Sequence, residues 1–186
     1  MMLKPISKKF KGLITISGPT NSGKSQLAEY LISDQKSVTY IATSKARDND
    51  PEWVKRINMH RIRRPSSWNL IEHPHDICNA ILALKDNDSI LIDSLGGLVE
   101  QHLIKNGEKW ELFQTKFLNC ILNSNFGIII VFEEIGWGIV PSTPIGHLFR
   151  ERLCKLSSLL CNHSSKKWLV VNRTAIDLDE IGHQIP

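Results

Sequence analysis

Apolar residues gather into five short continuous runs, at 13–17, 38–42, 89–92, 128–132 and 168–171. None alternates strictly between apolar and polar, so each predicts a strand covered on both faces. Between the runs the apolar spacing changes to three and four residues. This predicts helices over about 24–32, 51–63, 76–84, 95–105, 111–122 and 145–160. Asp50 and Pro51 open the second helix as cap and first residue, and Pro65 closes it. Strands alternating with helices predict an α/β fold: a mostly parallel central sheet flanked by helices, with ligands at the carboxyl ends of the strands. A length of 186 residues fits one domain spanning 1–186.

Composition narrows the partners. Hydrophobic residues at 41% and charged residues at 23% argue against wholesale disorder. A net charge of +4 suits a polyanionic small molecule, and no dense basic stripe points to nucleic acid. Cys78, Cys120, Cys154 and Cys161 form no C-x-x-C pair and read as small core residues of a reducing compartment. Lys4, Lys8, Lys9 and Lys11 precede too short an apolar run for a signal peptide, and the longest apolar run, 126–132, is too short to span a bilayer. A cytoplasmic protein without stable membrane insertion is expected.

The first run leads directly into Gly18-Pro19-Thr20-Asn21-Ser22-Gly23-Lys24-Ser25 and then a helix, which is a Walker A phosphate loop in its proper setting. Its glycines let backbone N–H groups and a helix N-terminus converge on phosphate oxygens. Lys24 is expected on the β- and γ-phosphates and Ser25 on Mg²⁺. The run at 89–92 ends in Asp93, which reads as a Walker B carboxylate for Mg²⁺ or as a simple cap of the following helix. The run at 128–132 ends in Glu133-Glu134, followed by Gly136-Trp137-Gly138. One of these carboxylates could polarise a hydroxyl, or both could be solvated loop charges. On the second helix His60 lies among Arg56, Arg61, Arg63 and Arg64. Guanidinium groups around an imidazole would keep it neutral, as a nucleophile requires, and would also neutralise phosphate. The plainer alternative is a solvated basic face carrying an incidental His.

Several segments together resemble the bifunctional adenosylcobinamide kinase / adenosylcobinamide-phosphate guanylyltransferase family of cobalamin biosynthesis. They are Tyr40-Ile41-Ala42-Thr43-Ser44, Arg56-Ile57-Asn58-Met59-His60, Arg64-Pro65-Ser66-Ser67-Trp68 with Glu72, Glu134-Ile135-Gly136-Trp137-Gly138-Ile139-Val140-Pro141 and Phe149-Arg150-Glu151, in addition to the phosphate loop and Asp93. The resemblance implies a RecA-like P-loop fold assembled as a homo-oligomer, a trimer in the family. It also implies two reactions: phosphorylation of adenosylcobinamide by ATP or GTP, then transfer of GMP from GTP through a guanylylated histidine. His60 matches that histidine and Asp93 an acidic position near the nucleotide, with Thr43, Ser44, Arg56, Arg61, Arg64, Glu72 and Glu134 as further nucleotide contacts. The chain departs from the family pattern at Asn21, where Arg is common, at His147, at Ser157-Ser158 and at Asn172-Arg173-Thr174.

Two other readings fit part of the sequence. A P-loop kinase of another small metabolite would not need His60, and a non-catalytic nucleotide-binding module would bind without turnover.

Overall fold

The structure is a computed structural model that describes residues 3–46, 49–84, 89–138 and 140–185, the side chain of Arg56 excepted. Its elements in chain order are β1 (Gly12–Gly18), α1 (Lys24–Ile32), β2 (Val38–Ala42), α2 (Pro51–Arg63), β3 (Asn69–Glu72), α3 (Ile77–Leu82), β4 (Ser89–Asp93), α4 (Leu95–Gln101), α5 (Gly107–Leu122), β5 (Gly127–Glu133), α6 (Pro144–Asn162), β6 (Lys166–Val171), β7 (Thr174–Asp177) and α7 (Leu178–Ile181). The strands form one sheet in the order β3-β2-β4-β5-β1-β6-β7. β7 pairs antiparallel with β6, and the other neighbours are parallel.

The predicted α/β architecture is the observed one, and the five apolar runs are its central strands. Two edge strands escape the apolar pattern. β3 is exposed at three of its four positions, since an edge strand needs no double covering. β7 follows a two-residue turn, Asn172-Arg173, whose φ angles of 48° and 63° suit the twist of a tight hairpin. α4 stops at Gln101 instead of continuing to Lys105. The buried guanidinium of Arg152 accounts for the loop beyond it, donating to the carbonyls of His102, Leu103 and Lys105.

The sheet is covered on both faces, as its apolar strands require. Leu95, Leu98, Phe117, Leu153, Leu156 and Leu160 pack on one face. Leu27, Ala28, Leu31 and Ile32 of α1 pack on the other, against Ile14, Ile16, Val131 and Val170. Burying a side chain of this size stabilises by roughly 1.5–3 kcal/mol. This packing holds the strand ends, and the loops that follow them, in fixed register.

Candidate active site

β1 delivers the phosphate loop at the carboxyl edge of the sheet. Gly18 passes so close to β6 that a Cβ there would collide with the carbonyl of Val170. Asn21 and Gly23 take φ angles of 60° and 102°, the left-handed conformations that turn successive N–H groups inward. The hairpin turn after β6 braces the loop from outside, through a hydrogen bond from Arg173 N–H to Ser22 O of 2.9 Å. Lys24 Nζ donates to Pro19 O at 3.1 Å, so its charge lies over the loop.

The loop opens onto a cleft of about 780 Å³. Of the residues expected from sequence, Thr20, Asn21, Gly23, Lys24, Ser25, Ser44, His60, Arg64, Glu72 and Asp93 line it. α2 lies over the cleft because its Asp50 cap accepts from Trp53 N–H and Pro65 ends it. That places the buried side of the helix, with His60 and Arg63, above Glu29 of α1 and Asp93 of β4.

Charge here is arranged around three partners of His60. Its Nδ1 lies 3.6 Å from Glu29 Oε1, 3.7 Å from Asp93 Oδ2 and 3.1 Å from Arg63 Nη2. Arg63 in turn grips Glu29 through two hydrogen bonds of 2.9 and 3.1 Å. Burial opposes ionisation of Glu29, but hydrogen bonds from His60 and Arg63 outweigh it and hold the carboxyl below its ordinary range. Tyr40 donates to Asp93 Oδ2 at 2.7 Å. Burial, followed by the Asp93 charge, pushes the Tyr40 hydroxyl well above its ordinary range, so it stays a neutral donor. Arg64 stacks over the Tyr40 ring at 4.3 Å, and its buried Nη1 has no partner among the described residues, which leaves a donor for an anion.

The arginine cage expected around His60 is therefore corrected. Arg63 touches the imidazole and is itself neutralised by Glu29, while Arg61 is exposed, 3.9 Å from Glu72. The side chain of Arg56 lies outside the described residues, as does Ile139 of the segment after β5. Among the described residues, two carboxylates and one paired guanidinium lie within 3.7 Å of His60 Nδ1.

Thr43 is also displaced from its expected contact. It is fully buried behind the cleft, donating to Ser94 O at 2.5 Å and accepting from Ser94 N at 3.0 Å. This clasp ties β2 to β4 and fixes Asp93. Gly97 makes it possible, since a Cβ there would lie 2.5 Å from Thr43 Oγ1 and 2.8 Å from Ser44 N.

Glu133, rather than Glu134, lines the cleft. β5 runs one residue beyond the apolar segment, so Glu133 pairs in register with Gly18 at the root of the loop. Its Oε1 accepts from Ser94 Oγ at 2.7 Å, and its buried Oε2 has no partner among the described residues. An unpaired buried carboxylate oxygen beside a phosphate loop, with Ser25 and Asp93 in the same cleft, is a donor set that fits Mg²⁺. The sequence leaves the choice between Glu133 and Glu134 open, gives Tyr40 no role beyond its place in the Tyr40–Ser44 segment, and does not single out Glu29. The signal for Glu29 was a charged residue at a core-facing position of an amphipathic helix.

Known proteins resemble this chain along most of its length. The family described as "Cobinamide kinase / cobinamide phosphate guanyltransferase" matches residues 14–178. The bifunctional adenosylcobalamin biosynthesis protein CobU of Escherichia coli is 28% identical over 181 residues, covering 89% of this chain and 99% of that protein. Its counterpart CobP of Pseudomonas aeruginosa is 33% identical over 138 residues, covering 73% of this chain and 77% of that one. Among solved structures, an ATPase from the type III secretion system of pathogenic bacteria superposes with a TM-score of 0.53 at 10% identity, over 91% of this chain and 52% of that chain. That likeness concerns the fold alone.

Proposed function

This chain belongs to the cobinamide kinase / cobinamide phosphate guanyltransferase family, and from that premise we propose how the residues around its phosphate loop carry out both reactions. The enzyme phosphorylates adenosylcobinamide with a nucleoside triphosphate and then transfers GMP from GTP to the new phosphate, giving adenosylcobinamide-GDP in cobalamin biosynthesis. The observation that carries the residue assignment is the position of His60, in the same cleft as Lys24 and within 3.7 Å of both Glu29 and Asp93.

In the kinase step the acceptor oxygen attacks the γ-phosphorus, the bond to the β-phosphate oxygen breaks, and a nucleoside diphosphate leaves. No protein nucleophile is required. Lys24 and the loop N–H groups neutralise the phosphate oxygens. Ser25, Asp93 and Glu133 would hold Mg²⁺, which when bound neutralises further phosphate charge.

In the guanylyl step a ring nitrogen of His60 attacks the α-phosphorus of GTP and pyrophosphate leaves. The phosphate oxygen of adenosylcobinamide phosphate then displaces the imidazole, so the P–N bond breaks and a P–O bond forms. An imidazole bonded to phosphorus develops positive charge. Glu29 and Asp93 lie where that charge is stabilised. Tyr40 and Arg63 position these carboxylates. Arg64, with its unpaired donor, suits a phosphate oxygen of the nucleotide.

No helix among the described residues is long and apolar enough to cross a membrane, and we assign the enzyme to the cytoplasm as a homo-oligomer, a trimer. Light scattering on the purified protein tests the assembly. The roles are tested on His60→Ala, which retains phosphorylation of adenosylcobinamide but loses the covalent GMP adduct and adenosylcobinamide-GDP. Loss of phosphorylation alone would assign His60 to the wrong reaction.

A further inference from the structure

The two reactions place opposite demands on one phosphate loop, an inference that rests on the two-reaction reading above. For guanylyl transfer the α-phosphorus must meet His60, so the nucleoside lies on the His60 side and the departing pyrophosphate on the loop. For phosphoryl transfer the γ-phosphorus must meet the acceptor in line with its bond to the β-phosphate. The acceptor has to reach the same side of the loop in both reactions, because the phosphate it gains must then attack GMP held on His60. The nucleoside of the phosphoryl donor therefore points away from His60.

A second cleft lies on that far side. It has a volume of about 680 Å³, within the range of small-molecule sites, and shares Gly23, Gln26 and Arg173 with the first cleft. Trp168 and Val170 project from β6 towards α1 and form its floor, while Tyr30 of α1 forms a wall. Asp177 pairs across the hairpin with Trp168, and Glu180 of α7 adds a second carboxylate to the rim. An indole face offers stacking to a purine, and the Glu180 carboxylate can accept its N–H groups, while Asp177 is held by Lys166 and by the N–H of Asp179. Arg173 stands between the clefts, held by its backbone bond to Ser22 and positioned to neutralise the phosphates that join the two halves of the ligand.

We propose that this second cleft binds the purine nucleoside of the phosphoryl donor, and that the phosphate loop therefore takes two nucleotides in opposite orientations, one for each reaction. In the donor orientation a new bond forms between the acceptor oxygen and the γ-phosphorus. The β-phosphate oxygen keeps the electron pair of the broken bond, the hydroxyl proton passes to solvent in the open first cleft, and the diphosphate leaves by way of the second cleft.

Thr174 lines the second cleft only and is exposed, so Thr174→Trp fills that cleft without touching the first. Steady-state phosphorylation of cobinamide with ATP or GTP is measured beside single-turnover formation of the GMP adduct. The wild-type enzyme must perform both, and its failure in either would count against the proposed function before the variant is considered. In Thr174→Trp the KM for the phosphoryl donor is expected to rise about tenfold or more while adduct formation from GTP changes less than about twofold. Equal loss of both, or unchanged donor KM, overturns the second cleft. Photolabelling of the wild-type enzyme with 8-azido-ATP gives a second readout that does not depend on the variant folding. The label is expected on the peptide covering 166–177, and its appearance on α2 or β3 instead contradicts the proposal.

Discussion

Removing Arg63 tests whether the charges around His60 form a coupled unit. Arg63→Met keeps much of the side-chain volume but leaves the Glu29 carboxylate, only 10% exposed, without its bidentate partner. Unit charges about 4 Å apart attract by about 4 kcal/mol at an effective dielectric of about 20, and desolvation offsets part of this. Two charge-assisted hydrogen bonds are lost as well. We expect Arg63→Met to lose about 3 kcal/mol of unfolding free energy at pH 7, and Glu29→Gln about 2. The double variant should lose about 2 kcal/mol less than the two losses added together.

The pH dependence follows from the lowered ionisation of Glu29. A carboxyl held below its ordinary value of 4.5 contributes stability that is fully present above pH 4.5. That contribution is lost as pH falls through the folded-state value. The cost of Glu29→Gln should thus shrink between neutral pH and about pH 3. Urea titrations of the four proteins at both pH values are the assay. Additive losses, or a Glu29→Gln penalty that does not shrink in acid, would refute the coupling.

Three further substitutions test other parts of the site. Lys24→Ala should lower both phosphorylation and adduct formation by a factor of about 10² or more, since both need a neutralised triphosphate on the loop; near-normal turnover in either assay would remove Lys24 from that reaction. Glu133→Gln should raise the Mg²⁺ concentration needed for half-maximal phosphorylation about tenfold with little change in fold, and an unchanged magnesium titration would make the residue structural. Gly97→Ala gains about 1 kcal/mol in helix propensity but drives a methyl into Thr43 and Ser44, so a net loss of about 1–3 kcal/mol and weaker nucleotide binding are expected, measured by thermal unfolding and titration; a stabilised variant with normal binding would show that the Thr43 clasp tolerates movement.

How much of this site the sequence discloses depends on whether the signal is local. The phosphate loop and Asp93 are legible because each is a short motif at the end of an apolar run. His60 and Arg63 share one face of α2 at a spacing of three residues, which sequence alone reveals. Glu29 is only partly legible: its core-facing position on α1 marks it as unusual for a charge, but only the packing of α2 over α1 brings Arg63 within 2.9 Å of it. The choice between Glu133 and Glu134 turns on whether β5 extends one residue further, and a shift of one residue reverses the face of a strand. β3 and β7 lie at the sheet edges, where the continuous apolar signature is absent. The brace that Arg173 gives the loop joins residues 173 and 22, a contact set by the sheet order that no short window contains.

The central claim, a covalent nucleotide carried by His60 in a chain that is also a kinase, meets its most direct test in intact mass measurement after incubation with GTP and Mg²⁺, followed by peptide mapping. The account predicts a mass increase of one GMP, labile in acid, located on the peptide containing His60 and lost in His60→Ala. An enzyme that turns over GTP without gaining that mass, or an adduct on His73, His75 or His147, would contradict it.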